Sequence, residues 1–315
     1  KDILSNSGKV LDEKFNALSR AISIKNKIEI RNIKKSHHRD GSHLVRFLFW
    51  LENFIKKSKI SEYEASVKLK EIRSKDKNFI SESFSTISAT GSNAAIVHYR
   101  PLKKSSKYLD STKLFLLDSG AQYIDGTTDI TRTISFKSQS NDIKHIYTRI
   151  LQSHIALASA IFPIGTTGSQ LDSIARRPLW QDGMDYDHGT GHGVGFFLNV
   201  HESPPTISKQ NAGIIEEGML LSNEPGFYQE GNFGIRLENL ILVTKNKRKD
   251  VSNFLNFETV SFCHFEIDLI LPSLLSSYEI KWINSYHLKV RKNLKKFLSE
   301  EENNWLCLKT NPINV

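Results

Sequence analysis

The 315-residue sequence predicts an α+β fold, with helices and strands in one mixed unit over residues 25–255. Three observations predict this class. Apolar residues recur at helical spacing over residues 28–57, short apolar runs among Ser, Thr and Gly begin at Phe79, and helical spacing returns after about Phe257. Because 39% of the residues are hydrophobic, the chain can bury a core, and disorder is excluded.

The N-terminal third of this unit is predicted to be helical. Residues 28–57 are expected to form one or two amphipathic helices. Ser61 followed by Glu64 is a capping box and opens a further helix that runs to about Arg73. Residues 1–24 are too short for a domain, and we interpret them as a residual linker from a missing N-terminal region.

The middle of the chain alternates between strands and helices. The predicted strands are Ala95–Tyr99, Lys113–Leu117, Asp129–Phe136, Phe196–His201, Met219–Asn223 and Ile235–Thr244. A long helix is predicted from Asn141 to about Phe162, where Pro163 stops it, and a shorter one over residues 170–177, ended by Pro178. Residues 256–315 are predicted to be a C-terminal helical extension.

The charge of the chain does not indicate a nucleic-acid partner. The sequence has 43 Lys and Arg against 34 Asp and Glu, a net charge of +9. Residues 1–80 hold 19 basic and 10 acidic side chains, and the remaining residues hold 24 of each. The excess is therefore scattered over predicted helices without interleaved aromatic residues, which favours a solvated helical face over a polyanion site.

Cysteine usage and hydropathy indicate where the protein resides. Cys263 and Cys307 provide neither a disulfide framework nor a four-thiolate zinc site. The chain has no signal-peptide pattern at its start and no uninterrupted apolar stretch near the ~18 residues of a transmembrane helix. We therefore expect a cytoplasmic protein that does not bind membranes.

Two aspartates flank a predicted turn. An apolar strand ends at Asp118, a Gly-containing turn follows, and the next strand begins at Asp129. A hairpin of this length can bring both carboxylates together, where their repulsion calls for a shared proton or a cation. Taken alone, the pair could equally be two polar residues beside a turn.

Histidines cluster in a glycine-rich segment further along. His188 and His192 lie among four glycines between residues 189 and 195, and His201 follows at the end of a predicted strand. Glycines at this density allow close backbone approach to a site. The other histidines are interpreted as ordinary surface or core residues, whereas three in this setting favour a functional cluster.

Two glutamates and an arginine complete the set. Glu224 precedes a Pro-Gly turn. Arg236 and Glu238 share one face of a predicted strand, and this charged pair could also be a salt bridge on an edge strand. Together with Asp118 and Asp129, the two glutamates carry a charge of −4, which two divalent cations would balance. Oxygen ligands with one imidazole favour Mn²⁺, Co²⁺ or Zn²⁺, and a pair of such ions indicates hydrolysis.

These residues, in this order and in these segments, closely resemble the metallopeptidase family of pita-bread fold that includes aminopeptidase P, prolidase and methionine aminopeptidase. His-Gly-Thr-Gly-His-Gly-Val-Gly over residues 188–195 and Gly-Ile-Arg-Leu-Glu over residues 234–238 resemble the larger cytosolic aminopeptidase P. Residues 282–287 resemble its C-terminal extension. The resemblance implies two pseudo-twofold α/β halves around a curved antiparallel sheet.

The resemblance also implies a role for each site residue. Asp118 would hold one metal, His192 and Glu224 the other, and Asp129 and Glu238 would bridge both. Glu224 would also be the general base. Of the accessory residues, His98 would be a histidine on the substrate side, His188 and His201 would contact the substrate and the tetrahedral intermediate, and Arg236 would orient a bridging carboxylate.

The implied activity is hydrolysis of the bond between an N-terminal residue and a following proline, with two divalent ions, of which Mn²⁺ is expected ahead of Co²⁺ or Zn²⁺. A prolidase-like dipeptidase and a catalytically silent binding module remain alternatives. The expected partner is a peptide with proline at the second position, and a homodimer is possible. Complete enzymes of this type carry two further N-terminal domains, which we expect to be missing here.

Overall fold

The computed structural model describes residues 17–248 and 253–314. Its helices are α1 (Ala17–Ser23), α2 (Lys27–Ile55), α3 (Glu62–Arg73), α4 (Asn141–Ala158), α5 (Gly168–Trp180), α6 (Ser277–Leu294) and α7 (Glu300–Lys309). Most of the predicted linker, residues 1–16, lies outside the described residues. None of the described helices is long and apolar enough to cross a membrane.

The strands form antiparallel sheets. They are β1 (Phe79–Glu82), β2 (Ile87–Thr90), β3 (Leu114–Ser119), β4 (Ala121–Tyr123), β5 (Gly126–Thr127), β6 (Ile130–Ser135), β7 (Ile161–Pro163), β8 (Gly191–Gly193), β9 (Glu202–Ile207), β10 (Leu220–Asn223), β11 (Gly226–Gln229), β12 (Phe233–Arg236), β13 (Asn239–Lys245) and β14 (Phe254–Thr259). The largest sheet has the order β7-β14-β13-β10-β8-β9. Smaller sheets have the orders β2-β3-β6, β1-β4-β5 and β11-β12.

Helix α2 is the long N-terminal helix of the unit. Its cap is Asn26, whose side chain accepts from the Ile28 and Glu29 amides, while the Glu29 carboxylate accepts from the Asn26 amide. Apolar residues such as Leu44 and Leu48 are buried in the main core. Gly41 allows the close approach of the C-terminal segment, because an added Cβ would lie 2.3 Å from the Phe262 carbonyl oxygen.

The C-terminal region packs tightly on the rest of the molecule. Ile283, Val290 and Leu294 of α6 belong to the same core cluster as the residues of α2. Strand β14 pairs with both β13 and β7. This strand crosses the predicted boundary between residues 255 and 256, and the division into two domains stays a prediction.

The predicted strand Ala95–Tyr99 is wrong. Residues 91–95 form a 3-10 turn, and the Tyr99 amide donates to the Ile96 carbonyl oxygen, which closes a second turn. The Tyr99 hydroxyl donates to the buried Glu62 carboxylate at 2.7 Å. This segment is therefore held by local turns and a long-range polar contact rather than by pairing in a sheet.

The predicted strand Phe196–His201 is also wrong. The Gly195 amide donates to the Asn199 carbonyl oxygen at 3.0 Å, and Phe197 has a φ of 52°. A residue with positive φ interrupts an extended strand. The chain therefore bends through this segment, and β9 begins only at Glu202.

Two helix ends differ from the sequence prediction. Helix α4 ends at Ala158 because the following residues form β7, in which Phe162 pairs with Leu255 of β14. Pro178 does not end α5 but lies within its last turn. The capping box of Ser61 and Glu64, by contrast, is confirmed at the start of α3.

Candidate metal centre

All nine residues that were predicted to form the site line one cavity of about 580 Å³. They are His98, Asp118, Asp129, His188, His192, His201, Glu224, Arg236 and Glu238. The cavity lies where β2-β3-β6 meets the end of the large sheet near β8 and β10. Residues that are up to 140 positions apart in the sequence are thus brought together by the fold.

The paired strands β3 and β6 carry the two aspartates. Asp118 pairs in register with Thr131, which places Asp129, the residue just before β6, close to Asp118. Oδ2 of Asp118 accepts a hydrogen bond from Nη2 of Arg236 at 2.6 Å, whereas its Oδ1 is buried with no hydrogen-bond partner among the described residues. One oxygen of Asp118 is therefore available to a ligand.

His192 presents one ring nitrogen to the carboxylates. Its Nδ1 lies 2.8 Å from the Gly193 carbonyl oxygen and must donate a proton to it. In the neutral ring, Nε2 then keeps its lone pair. Nε2 lies 3.4 Å from Oδ2 of Asp129 and 3.5 Å from Oε1 of Glu224, which is the arrangement expected of a metal-ligating histidine.

The two glutamates are fixed by hydroxyl groups on neighbouring strands. The Ser222 hydroxyl donates to Oε1 of Glu224 at 3.1 Å, and the Thr131 hydroxyl donates to Oε2 of Glu238 at 2.8 Å. The Glu238 amide also donates to the Thr131 carbonyl oxygen at 3.1 Å, which holds the segment after β12 against β6. The orientation of each carboxylate is thus set by the fold.

The carboxylates repel one another in the absence of a cation. Burial, with the neighbouring Asp118 and Glu224 carboxylates, raises the pKa of Asp129 well above its usual range. Burial and the Asp129 carboxylate likewise raise the pKa of Glu238, and burial raises that of Glu224. Ligand atoms of Asp129, His192 and Glu238 lie within 4.8 Å of one another, so one ion can contact all three.

These observations fit a centre of two divalent cations. Asp118, Asp129 and Glu238 are buried, Glu224 and the imidazole of His192 are half-buried, and the unpartnered Oδ1 of Asp118 is one of the available donors. Oxygen donors with one imidazole suit Mn²⁺, Co²⁺ or Zn²⁺. Because the cluster has more negative charge than Arg236 alone can balance, cations would remove most of the repulsion.

The accessory histidines surround the same cavity. The rings of His192 and His201 lie 4.0 Å apart between centroids, and His98 is exposed on the cavity wall. Burial lowers the pKa values of His188 and His201 to about 4, with contributions from Arg236 and His192 respectively. Both rings are therefore neutral at pH 7. The one N–H of neutral His188, at Nδ1, donates to the Gly189 carbonyl oxygen at 2.8 Å.

Tyr228 is a site residue that the sequence analysis missed. Its hydroxyl accepts a hydrogen bond from Nη1 of Arg236 at 2.8 Å and lies 2.8 Å from Nε2 of His188. Tyr228 therefore joins the arginine to a histidine in the segment just ahead of β8. Its position two residues after Gly226 gives no local signal, because only the pairing of β11 with β12 brings it to Arg236.

Comparison with known proteins identifies the family. The model of metallopeptidase family M24 matches residues 31–245, and that of the C-terminal region of peptidase M24 matches residues 253–313. The chain belongs to metallopeptidase family M24. The family resemblance and the pita-bread fold predicted from the sequence are thereby confirmed.

Several curated proteins are similar over nearly all of this chain. A probable Xaa-Pro aminopeptidase P of Paracoccidioides brasiliensis (strain Pb03) is 45% identical over 313 residues, which cover 96% of this chain and 51% of that protein. Aminopeptidase P2 of Arabidopsis thaliana is 46% identical, over 94% of this chain and 43% of that protein. The chain spans about half the length of the curated relatives it matches.

Solved structures share this fold. X-prolyl aminopeptidase from Caenorhabditis elegans, described as a cytosolic enzyme with a di-nuclear active site, matches with a TM-score of 0.91 and 38% identity. The match covers 95% of this chain and 50% of that one. Prolidase from Pyrococcus furiosus matches with a TM-score of 0.64 and 29% identity over 78% of this chain and 66% of that one.

Proposed function

We propose that the protein is a dinuclear-metal aminopeptidase that hydrolyses the bond between an N-terminal residue and a following proline. The observation that carries the proposal is the convergence of four carboxylates and Nε2 of His192 in one cavity, with His98, His188 and His201 on its walls. The similarity to aminopeptidase P proteins over more than nine tenths of the chain supports this activity over others.

We propose that Asp118 holds one metal, that His192 and Glu224 hold the other, and that Asp129 and Glu238 bridge the two. Mn²⁺ suits this oxygen-rich set, and Co²⁺ and Zn²⁺ are the alternatives. Bound divalent ions would make a water nucleophilic near neutral pH and would polarise the scissile carbonyl.

The side chains of the cavity then perform the proton transfers and the positioning. Glu224 accepts a proton from the attacking water and can return it to the leaving proline nitrogen. Neutral His201 donates a hydrogen bond as charge develops on the carbonyl oxygen of the substrate. His188 contacts the substrate with its ring, since its Nδ1 proton goes to the Gly189 carbonyl oxygen and its Nε2 accepts from the Tyr228 hydroxyl. Arg236 holds Asp118 in place and, through Tyr228, orients His188.

The partners and the location of the protein are part of the proposal. We propose a cytosolic enzyme that acts on peptides with proline at the second position and binds neither nucleic acid nor membranes. The description of the C. elegans structure as cytosolic supports this location. We also propose that the protein can form a homodimer.

The proposal is tested by cleavage of Xaa-Pro and Xaa-Ala peptides of two, three and five residues, with Mn²⁺ and with a chelator. Release of the N-terminal residue from Xaa-Pro peptides of three or more residues, abolished by the chelator, is the expected result. Cleavage confined to dipeptides would instead favour a prolidase-like enzyme. No cleavage of any peptide at saturating Mn²⁺ would favour a silent binding module and would overturn the proposal.

A further inference from the structure

A buried ion pair between Lys25 and Glu202 lies next to His201, one of the histidines of the cavity. Nζ of Lys25 lies 2.5 Å from Oε2 of Glu202, and the two side chains are 0% and 6% exposed. Lys25 belongs to the short segment between α1 and α2, whereas Glu202 directly follows His201 at the start of β9. The pair therefore joins two parts of the chain that are 177 residues apart.

Lys25 is held firmly on its own side. Its Nζ also donates to the Ile22 carbonyl oxygen at 3.1 Å, and its amide donates to the Gly218 carbonyl oxygen at 2.9 Å. Ile24 forms a β-bridge with Met219, next to β10. The ammonium group thus has a fixed position from which it can fix Glu202.

Glu202 in turn lies against both histidine-bearing segments. It pairs in register with Gly193 of β8, and a Cβ added to Gly193 would lie 2.6 Å from the Glu202 carbonyl oxygen. The Gly193 carbonyl accepts the Nδ1 proton of His192, and the His192 ring lies 4.0 Å from that of His201. A shift of Glu202 would consequently change the position of His201 relative to His192.

We propose that Lys25 is a positioning residue of the active site, because its ion pair with Glu202 fixes His201 in its catalytic position. This inference rests on the proposed peptidase function. It assigns to the segment ahead of α2 a direct influence on turnover. Without Lys25, the Glu202 carboxylate is buried with neither oxygen paired, since Oε1 already has no partner among the described residues, and it must take up a proton or move.

The segment ahead of α2 offers a matched control. Arg20 forms an ion pair with Glu216, with Nε and Oε1 2.7 Å apart, but the Arg20 side chain is 49% exposed and Glu216 lies in neither β8 nor β9. Arg20→Met removes an anchor of the same segment without touching the strands of the site. An effect of general loosening would therefore appear in both variants.

The experiment compares Lys25→Met, Glu202→Gln, the double variant and Arg20→Met at saturating Mn²⁺. For Lys25→Met we expect kcat to fall by roughly tenfold or more with KM nearly unchanged, since small misplacements of catalytic groups reduce turnover. The double variant should lose less than the product of the two single losses, because it leaves no unpaired charge. Arg20→Met should keep the kcat of the wild type.

Hydrogen exchange followed by mass spectrometry provides a readout that does not depend on activity. Residues 201–207 should exchange faster in Lys25→Met than in wild type or in Arg20→Met. An unchanged kcat and exchange rate in Lys25→Met, or an equal loss of kcat in Arg20→Met, would overturn the inference. If Lys25→Met does not fold, the same criteria apply to Glu202→Gln. An inactive wild type would refute the proposed function, and the exchange data would still decide the role of Lys25.

Discussion

Arg236 and Asp118 form an ion pair in which Nη2 and Oδ2 are 2.6 Å apart and both side chains are almost fully buried. The guanidinium occupies one carboxylate oxygen and leaves the other for a ligand. Nη1 of the same arginine donates to Tyr228, which contacts His188. One side chain thus orients a proposed metal ligand and a proposed substrate contact at the same time.

Arg236→Lys should keep a positive charge but lose one of these two contacts, because an ammonium lacks the planar fork of a guanidinium. We expect metal affinity or activity to fall by roughly 10- to 100-fold, the usual effect of losing a group that orients a ligand. Metal titration and peptide kinetics measure the two quantities. Wild-type values for both would contradict the role assigned to Arg236.

Glu224→Ala should abolish hydrolysis and lower metal content, because it removes a ligand and the general base together. The loss of kcat should reach or exceed the roughly 10²- to 10⁴-fold contribution of a general base. Metal analysis of the purified variant, with peptide kinetics, provides the measurement. Glu230→Ala, at an exposed acid on the turn after β11, is the matched control and should behave as wild type.

The positions of the site residues were largely predictable from the sequence, whereas their mutual contacts were not. The sequence indicates Asp118, Asp129 and Glu238 as site residues, because burying a charged side chain within an apolar strand costs free energy unless it has a partner. The sequence could not predict that Tyr228 lies beside Arg236, since this contact depends on the register of β11 with β12. Lys25 is likewise one of many scattered basic residues of the N-terminal region, and its neighbours in the sequence do not predict the ion pair with Glu202.

The errors in the predicted strands have the same physical origin. Residues 95–99 and 196–201 have strand-like compositions, but each segment closes a local turn beside the cavity. In the first segment the turn is held by Tyr99 and the buried Glu62, which are 37 residues apart. Local patterns do not contain such contacts, and functional segments are the places where local propensity is most often overruled.

His201→Ala should leave the metals bound but reduce turnover by about 10²-fold or more, in line with the loss of a hydrogen-bond donor to a developing oxyanion. The His201 ring packs against the His192 ring, but Nε2 of His192 is the nitrogen that lies near the carboxylates of Asp129 and Glu224. Metal content and kcat are measured on the same sample. His145→Ala removes a histidine on α4 that pairs with Asp182 and should change neither value. Loss of metal in step with kcat in His201→Ala would show that its role is structural.

Arg132 should be among the residues most important for stability. Its buried guanidinium donates to the carbonyl oxygens of Glu238, Cys263 and His264, and its charge lies over the Phe265 ring at 4.4 Å. Arg132→Met removes the donor to the Glu238 and His264 carbonyl oxygens, at a cost of about 1–3 kcal/mol for each unsatisfied group, whereas the Cys263 carbonyl oxygen keeps the Tyr286 hydroxyl. Chemical denaturation should therefore show a loss of several kcal/mol.

The control for Arg132 is Arg46→Met. Arg46 of α2 likewise contacts the C-terminal region, through an ion pair with Glu302 of α7, but its side chain is 36% exposed. Partly exposed ion pairs contribute about 0–1 kcal/mol, so the loss of stability should be small. Equal losses of unfolding free energy in the two variants would contradict the prediction that the buried contacts of Arg132 stabilise the protein more than a partly exposed ion pair does.

The free energy of unfolding should depend on pH through the buried histidine His154 on α4. Burial, with the nearby Arg132 charge, lowers the pKa of His154 to about 3, whereas an unfolded histidine titrates near 6.5. Between these values the unfolded chain binds a proton that the folded chain does not. Stability from this residue is therefore fully present above pH 6.5 and is lost as the pH falls toward 3.

The corresponding experiment measures unfolding of metal-free wild type and His154→Gln at several pH values between 6 and 4. The slope of the unfolding free energy against pH should be smaller in the variant by about 1.4 kcal/mol per pH unit, the effect of one proton. Titration of the carboxylates in the cavity is common to both proteins and cancels in the difference. Leu157→Ala, at a buried apolar position of the same helix, should lower stability equally at every pH. Equal slopes in wild type and His154→Gln would show that His154 takes up its proton while the protein is still folded.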